Sequence, residues 1–226
     1  MSDSRNSTVR IGGRVLGALV SIMAADVVLT LLLVITPKAK APIPLFPLYS
    51  EVVGIDAYGA VLPLLLCVVF AFFARVYATK RGGLVPFRGM QFWASILLLA
   101  IATIAVFQYV QRTSGGLGLS GAGAALGILA GEAAGIAYGI GRGPEMRAPV
   151  VSAEAFVVGV LAALVSDFVQ TFTGWAQAPG IALVWGGSGT HDLVLWFAVY
   201  MGAAVYIFRR TSPWIEGRLA SWSSRS

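Results

Sequence analysis

Residues 151–173 read VSAEAFVVGVLAALVSDFVQTFT, and two charges among twenty-three residues decide the class of the fold. A helix needs about twenty predominantly apolar residues to cross roughly 30 Å of hydrocarbon, and this stretch has that length and composition. Five further stretches resemble it, so the sequence predicts six spans. They are Val15–Thr36, Val52–Ala74, Gln91–Val110, Leu117–Ile140, Val151–Thr173 and His191–Phe208. The expected class is all-α: a polytopic integral membrane protein with residues 1–210 as one transmembrane domain and 211–226 as a cytoplasmic tail. Across all 226 residues, 58% hydrophobic, 12% charged and a mean hydropathy of +0.82 agree; soluble domains carry about a quarter of their residues charged.

The connections orient the bundle. Thirteen of the sixteen Lys and Arg fall on the N-terminal tail, the second and fourth loops and the C-terminal tail. Only Lys38, Lys40 and Arg112 fall on the other face. Basic residues concentrate on the cytoplasmic side of membrane proteins, so both termini are expected there. The net charge of +6 therefore marks topology and gives no reason to expect nucleic acid. The first apolar run, about 22 residues, exceeds the about 7–15 of a cleaved signal peptide and is expected to remain as a span. Trp93, Trp175, Trp185, Trp214 and Trp222 lie near span ends, as an interfacial belt requires. The tail after Arg210 reads equally as a segment lying on the inner lipid surface or as an unstructured one.

Composition excludes several chemistries. The single Cys67 can form neither an intrachain disulfide nor a Cys-x-x-Cys redox pair. The single His191 cannot ligate a haem from both sides. Lys38, Lys40 and Lys80, the only lysines, lie in expected loops, so none is placed to hold retinal as a buried Schiff base. No cofactor is expected.

Between the first two spans, Pro37-Lys-Ala-Lys-Ala-Pro-Ile-Pro-Leu-Phe-Pro47 cannot be a continuous helix and is expected to cross the surface. Glycines at 123, 127, 131, 135 and 139 recur every four residues. They predict a helix face on which a neighbouring backbone approaches closely.

Carboxylates within spans are costly and tend to face a cavity or partner. The expected topology, with a rise of about 1.5 Å per residue, puts Asp26 near mid-membrane and Asp56 near the outer surface. It places Asp167 roughly 9 Å below the outer end of the fifth span. His191 and Asp192 open the sixth from outside. Gln108 and Gln170 share that depth, Glu132 lies alone in the inner half, and Glu154 is set aside as close enough to the cytoplasmic end to reach water. Between spans five and six, Ile181–Trp185 reads as a short re-entrant segment that ends in the Gly186-Gly-Ser-Gly189 turn. Free amides of Gly187, Ser188 and Gly189 at a helix start favour an anion, while Asp192 serves equally as a helix cap. An outward-facing polar pocket of Asp56, Asp167, Asp192, Gly186, Gly187, Gly189 and His191 follows; its acids suit a hard cation without selecting one.

Two local patterns resemble intramembrane proteases. Gly118-Leu-Ser-Gly121 with His191 resembles the rhomboid serine–histidine dyad, which implies Ser120 as nucleophile, whereas the residues themselves read Ser120 as the start of a helix. Gly187-Ser-Gly-Thr-His-Asp192, paired with Asp167, is similar to the Gly-x-Gly-Asp of presenilin-like aspartyl proteases. A third resemblance covers more of the chain. Ile55-Asp-Ala-Tyr-Gly-Ala-Val-Leu-Pro-Leu64, Val165-Ser-Asp-Phe-Val-Gln170 and Ala178-Pro179 followed by Gly186-Gly-Ser-Gly-Thr-His-Asp192 resemble, in order and spacing, three patches of the uncharacterised archaeal and bacterial membrane-protein family catalogued as domain of unknown function 1614. Asp56 stands in the family's asparagine position, His191 replaces an aromatic residue and Leu193 a glycine. The resemblance implies a six-span fold and these site residues, with no activity attached. The leading expectation is a small transporter or permease in which Asp167 binds a proton or cation at depth. An intramembrane hydrolase and an assembly subunit of a membrane complex are the alternatives. The expected partners are the bilayer, a small molecule or ion, and a second copy or another membrane protein.

Overall fold

A computed structural model describes residues 11–24, 43–48, 51–55, 57–80, 86–114, 122–172, 184–185 and 193–223. Six α-helices dominate them: α1 (Ile11–Ala24), α2 (Leu62–Lys80), α3 (Met90–Ser114), α4 (Ala122–Gly141), α5 (Ala148–Phe172) and α6 (Leu193–Ser223). Helix α5 is the hub, packed against α2, α3, α4 and α6. Its Val151, Ala155, Val158, Val160 and Ala162 have no exposed surface, as expected of a helix that is apolar around its whole circumference.

The surface of the bundle is apolar too. The segments Gly59–Lys80 and Ala148–Val169 are each long and apolar enough to cross a membrane. The first is only 28% buried, against 72% for the second. On α2 the outward stripe is Leu65, Val68, Val69, Phe72 and Phe73, all more than half exposed. Steps of three and four residues make that one helical face. Trp93, Leu97 and Ile101 repeat the pattern on α3, and Val15, Leu19 and Met23 on α1. Soluble proteins turn such stripes inward; here they point out, which suits lipid or a protein partner.

The glycine row acts as its spacing predicts over the part that is described. A Cβ on Gly131 would lie 2.9 Å from the Phe197 ring, one on Gly135 would strike the Met201 carbonyl, and one on Gly139 the Val205 side chain. Glycines and partners both advance by four, so two parallel rows seat α4 on α6 one turn at a time. Gly123 and Gly127 continue the row along α4, but their surroundings fall outside the described residues. Helix α5 approaches the other side of α6 as closely: a Cβ on Gly159 would come within 2.9 Å of the Ala198 Cα. Ser152 Oγ there donates to the Gly202 carbonyl at 2.8 Å.

Three segments depart from the sequence expectation. Residues Ile43–Leu48 (β1) and Glu51–Ile55 (β2) form an antiparallel hairpin, and β2 pairs in parallel with Val184–Trp185 (β3). The proline-rich stretch thus ends in a strand. Pro44 and Pro47 are tolerated because β1 is the edge of a β1-β2-β3 sheet, and the register slips between Pro44 and Phe46. The expected second span begins too early. Chain from Val52 to Ile55 is strand, a π turn follows at Ala57–Val61, and α2 opens with Pro63 in its first turn, where a missing N–H costs nothing. The expected re-entrant segment is described only at Val184–Trp185, and there it is extended strand.

Helix α6 does not end at Phe208 but runs unbroken through Pro213 to Ser223. Docking on α1 accounts for the extension. Gly17 faces the Ser212 backbone at 3.3 Å from its Cβ position, Gly13 faces Glu216, and Arg14 pairs with Glu216 at 3.5 Å.

Candidate functional site

Of the expected outward-facing site only Asp167 lies among the described residues, half-buried on α5. Asp56, Gly186, Gly187, Gly189, His191 and Asp192 fall outside them, as do Asp26 and Ser120. What is described is the framework. Gly54 pairs with Val184 and Ile55 with Trp185, the residues that immediately precede Asp56 and Gly186. Strand β3 also packs against α5, which carries Asp167, and the π turn after Asp56 packs against α6, which begins at Leu193. The elements adjoining each of the three sequence patches are thereby neighbours.

The other polar centre sits at the opposite, arginine-rich end. Glu154 has no exposed surface, which corrects the expectation that it reaches water. It enters the bundle on the first turns of α5 and collects donors from three other segments. Arg142, just past the end of α4, donates through Nε to Oε2 at 2.7 Å and through a second nitrogen to Oε1. Tyr138 Oη on α4 donates to Oε2 at 3.1 Å, and the Phe87 amide from the α2–α3 connection donates to Oε1. The fork of a guanidinium matches a carboxylate bidentately, and hydrogen bonding to Glu154 holds the Arg142 guanidinium above its usual range against the opposing effect of burial. Phe87 adopts φ 60°, a left-handed conformation that non-glycine residues rarely take. Its amide bond to Glu154 and an edge-on ring contact with Phe92 at 5.6 Å hold it there.

Nearby, Arg209 of α6 donates to the carbonyls of Gly143 and Met146, the latter at 2.9 Å, and so fastens the α4–α5 turn to α6. Gly143 takes φ 72° in that turn. Burial lowers the Arg209 guanidinium from its usual value, with Glu145 acting the other way. Glu132 on α4 is fully buried as well. A cavity of about 580 Å³ opens between the start of α1, the α4–α5 turn and α6. Among the described residues no cluster of three His, Cys, Asp or Glu is arranged to hold a metal ion.

The Glu154 cluster was hidden from sequence reasoning because its donors come from separate segments. One signal was available: Arg142, in a short turn before the next apolar run, faces an acid on that run's first turns.

Comparison with protein-family models, curated proteins and solved structures finds no match for this chain. The resemblance to the uncharacterised membrane family rests on the three sequence patches alone.

Proposed function

We propose that the chain is a six-span, multi-pass protein of the cell membrane that works as a small transporter or permease, with a site open to the outer face built around Asp56, Asp167, Asp192 and the Gly186–Gly189 turn. The observation that supports this reading is the β2–β3 pairing beside α5, because β2 ends just before Asp56, β3 just before Gly186, and α5 carries Asp167. Irregular or extended backbone between membrane helices is tolerated where it lines a cavity or packs on protein, and transporters build substrate sites from such interrupted segments. The outward apolar stripes of α1, α2 and α3 support the membrane setting. In this reading Asp167 takes up a proton or cation, and the glycine turn shapes the entrance.

The test is proton flux into proteoliposomes, followed with an entrapped pH-sensitive dye under an imposed membrane potential. Wild-type protein passes protons and Asp167→Asn does not. Flux that survives in Asp167→Asn, or no flux in the wild type, contradicts proton coupling at this residue.

A further inference from the structure

The cavity at the arginine-rich end has the chemistry of an anion site. Arg14, Arg147, Arg209 and Arg210 line it with a single carboxylate, Glu216. Among the described residues only Arg14 of these four has an ion-pair partner. Arg209 is held rigid by its two carbonyl acceptors, and its buried Nε has no hydrogen-bond partner among the described residues. Arg210 is braced over the Tyr206 ring at 5.6 Å. The N-terminus of α5 also opens at the cavity, where its first residues, Ala148 and Pro149, form part of the lining. A helix N-terminus adds positive potential to the guanidinium groups. Tyr77 and Phe208 supply an apolar wall. A volume of about 580 Å³ falls within the range of small-ligand pockets.

We propose that this cavity binds a phosphate group, supplied by the headgroup of an anionic phospholipid in the leaflet at this end of the bundle. Guanidinium forks match phosphate oxygens, and basic pockets between membrane helices take anionic headgroups. The lipid as the source rests on the membrane reading above; the phosphate chemistry does not. A bound headgroup would tie α1, the α4–α5 turn and α6 together, the elements that Arg14 and Arg209 already join.

The test uses the full chain in nanodiscs of phosphatidylcholine with phosphatidylglycerol, with retained lipids counted by native mass spectrometry. A parallel thermal-stability titration with inorganic phosphate is made in detergent. Wild-type protein retains phosphatidylglycerol in preference to phosphatidylcholine. Arg147→Gln and Arg210→Gln, both at exposed positions, weaken retention roughly fivefold each. Arg75→Gln, at an exposed position on α2 that does not line the cavity, leaves it unchanged. Stabilisation by inorganic phosphate that disappears in the same two variants supports the phosphate site, and without lipid preference it assigns the free anion as ligand. Equal retention of both lipids with no response to phosphate overturns the proposal, as does phosphatidylglycerol retention undiminished in both variants. Release of the protein from membranes by alkaline carbonate defeats the membrane reading separately, and the phosphate titration still reports on the cavity.

Discussion

Ile55 and Trp185 are partners in a parallel β-ladder, although four helices, α2 to α5, separate them in sequence. The contact fixes where the chain before α2 meets the chain between α5 and α6. Cysteines introduced at both positions in a Cys67→Ala background are expected to cross-link with a short bifunctional thiol reagent. Moving one of them to an outward position on α2, such as Val68, is expected to abolish the product. Equal cross-linking of both pairs would mean that the strands do not pair.

Close packing of α4 on α6 gives a graded prediction. Gly135→Ala drives a methyl group into the Met201 backbone, which can yield only if a helix shifts; overpacking of this kind costs about 1–3 kcal/mol. Gly12→Ala meets nothing within 4 Å and is expected to be neutral or to stabilise α1 by up to about 1 kcal/mol. Thermal or denaturant unfolding of the purified protein separates the two, and equal effects would contradict the packing.

Removing Arg142 leaves a buried carboxylate without its cation. Arg142→Gln is expected to destabilise the fold by about 3–5 kcal/mol. The double change Arg142→Met with Glu154→Leu is expected to cost less than Arg142→Gln, because no uncompensated charge remains. Since hydrogen bonding to Glu154 raises the Arg142 value, its contribution is complete below the ordinary arginine range and is lost only as pH climbs through the raised value. Alkaline solutions that discharge ordinary lysines therefore leave the pair intact. Additive losses in the double variant would show that the two residues act independently.

Helix positions were legible in the sequence because long apolar runs leave the backbone little choice but helix. Helices α3 and α5 end within a few residues of expectation, and α4 ends one residue past it. The glycine period at 131, 135 and 139 foretold a close neighbour but not that the neighbour is α6. The strands were illegible for a different reason. Pro44 and Pro47 argue against a strand unless it is an edge, and Val184–Trp185 is too short to show any period. Distance from the span end alone puts Glu154 within reach of water, but Tyr138, Arg142 and Phe87, from other segments, close over it. The continuation of α6 to Ser223 depends on α1, whose Gly13, Arg14 and Gly17 receive it.

In the proposed transporter Asp167 lies within an apolar bundle yet faces water on the side away from the arginine-rich loops. Cys67 is the single cysteine, so replacing it with alanine leaves a background without thiols, and Asp167→Cys then reports on one position. The most direct measurement is labelling of that cysteine with a membrane-impermeant maleimide in right-side-out and inverted vesicles. Labelling is expected in right-side-out vesicles only. Labelling confined to inverted vesicles, or protection in both while the protein stays folded, would contradict it.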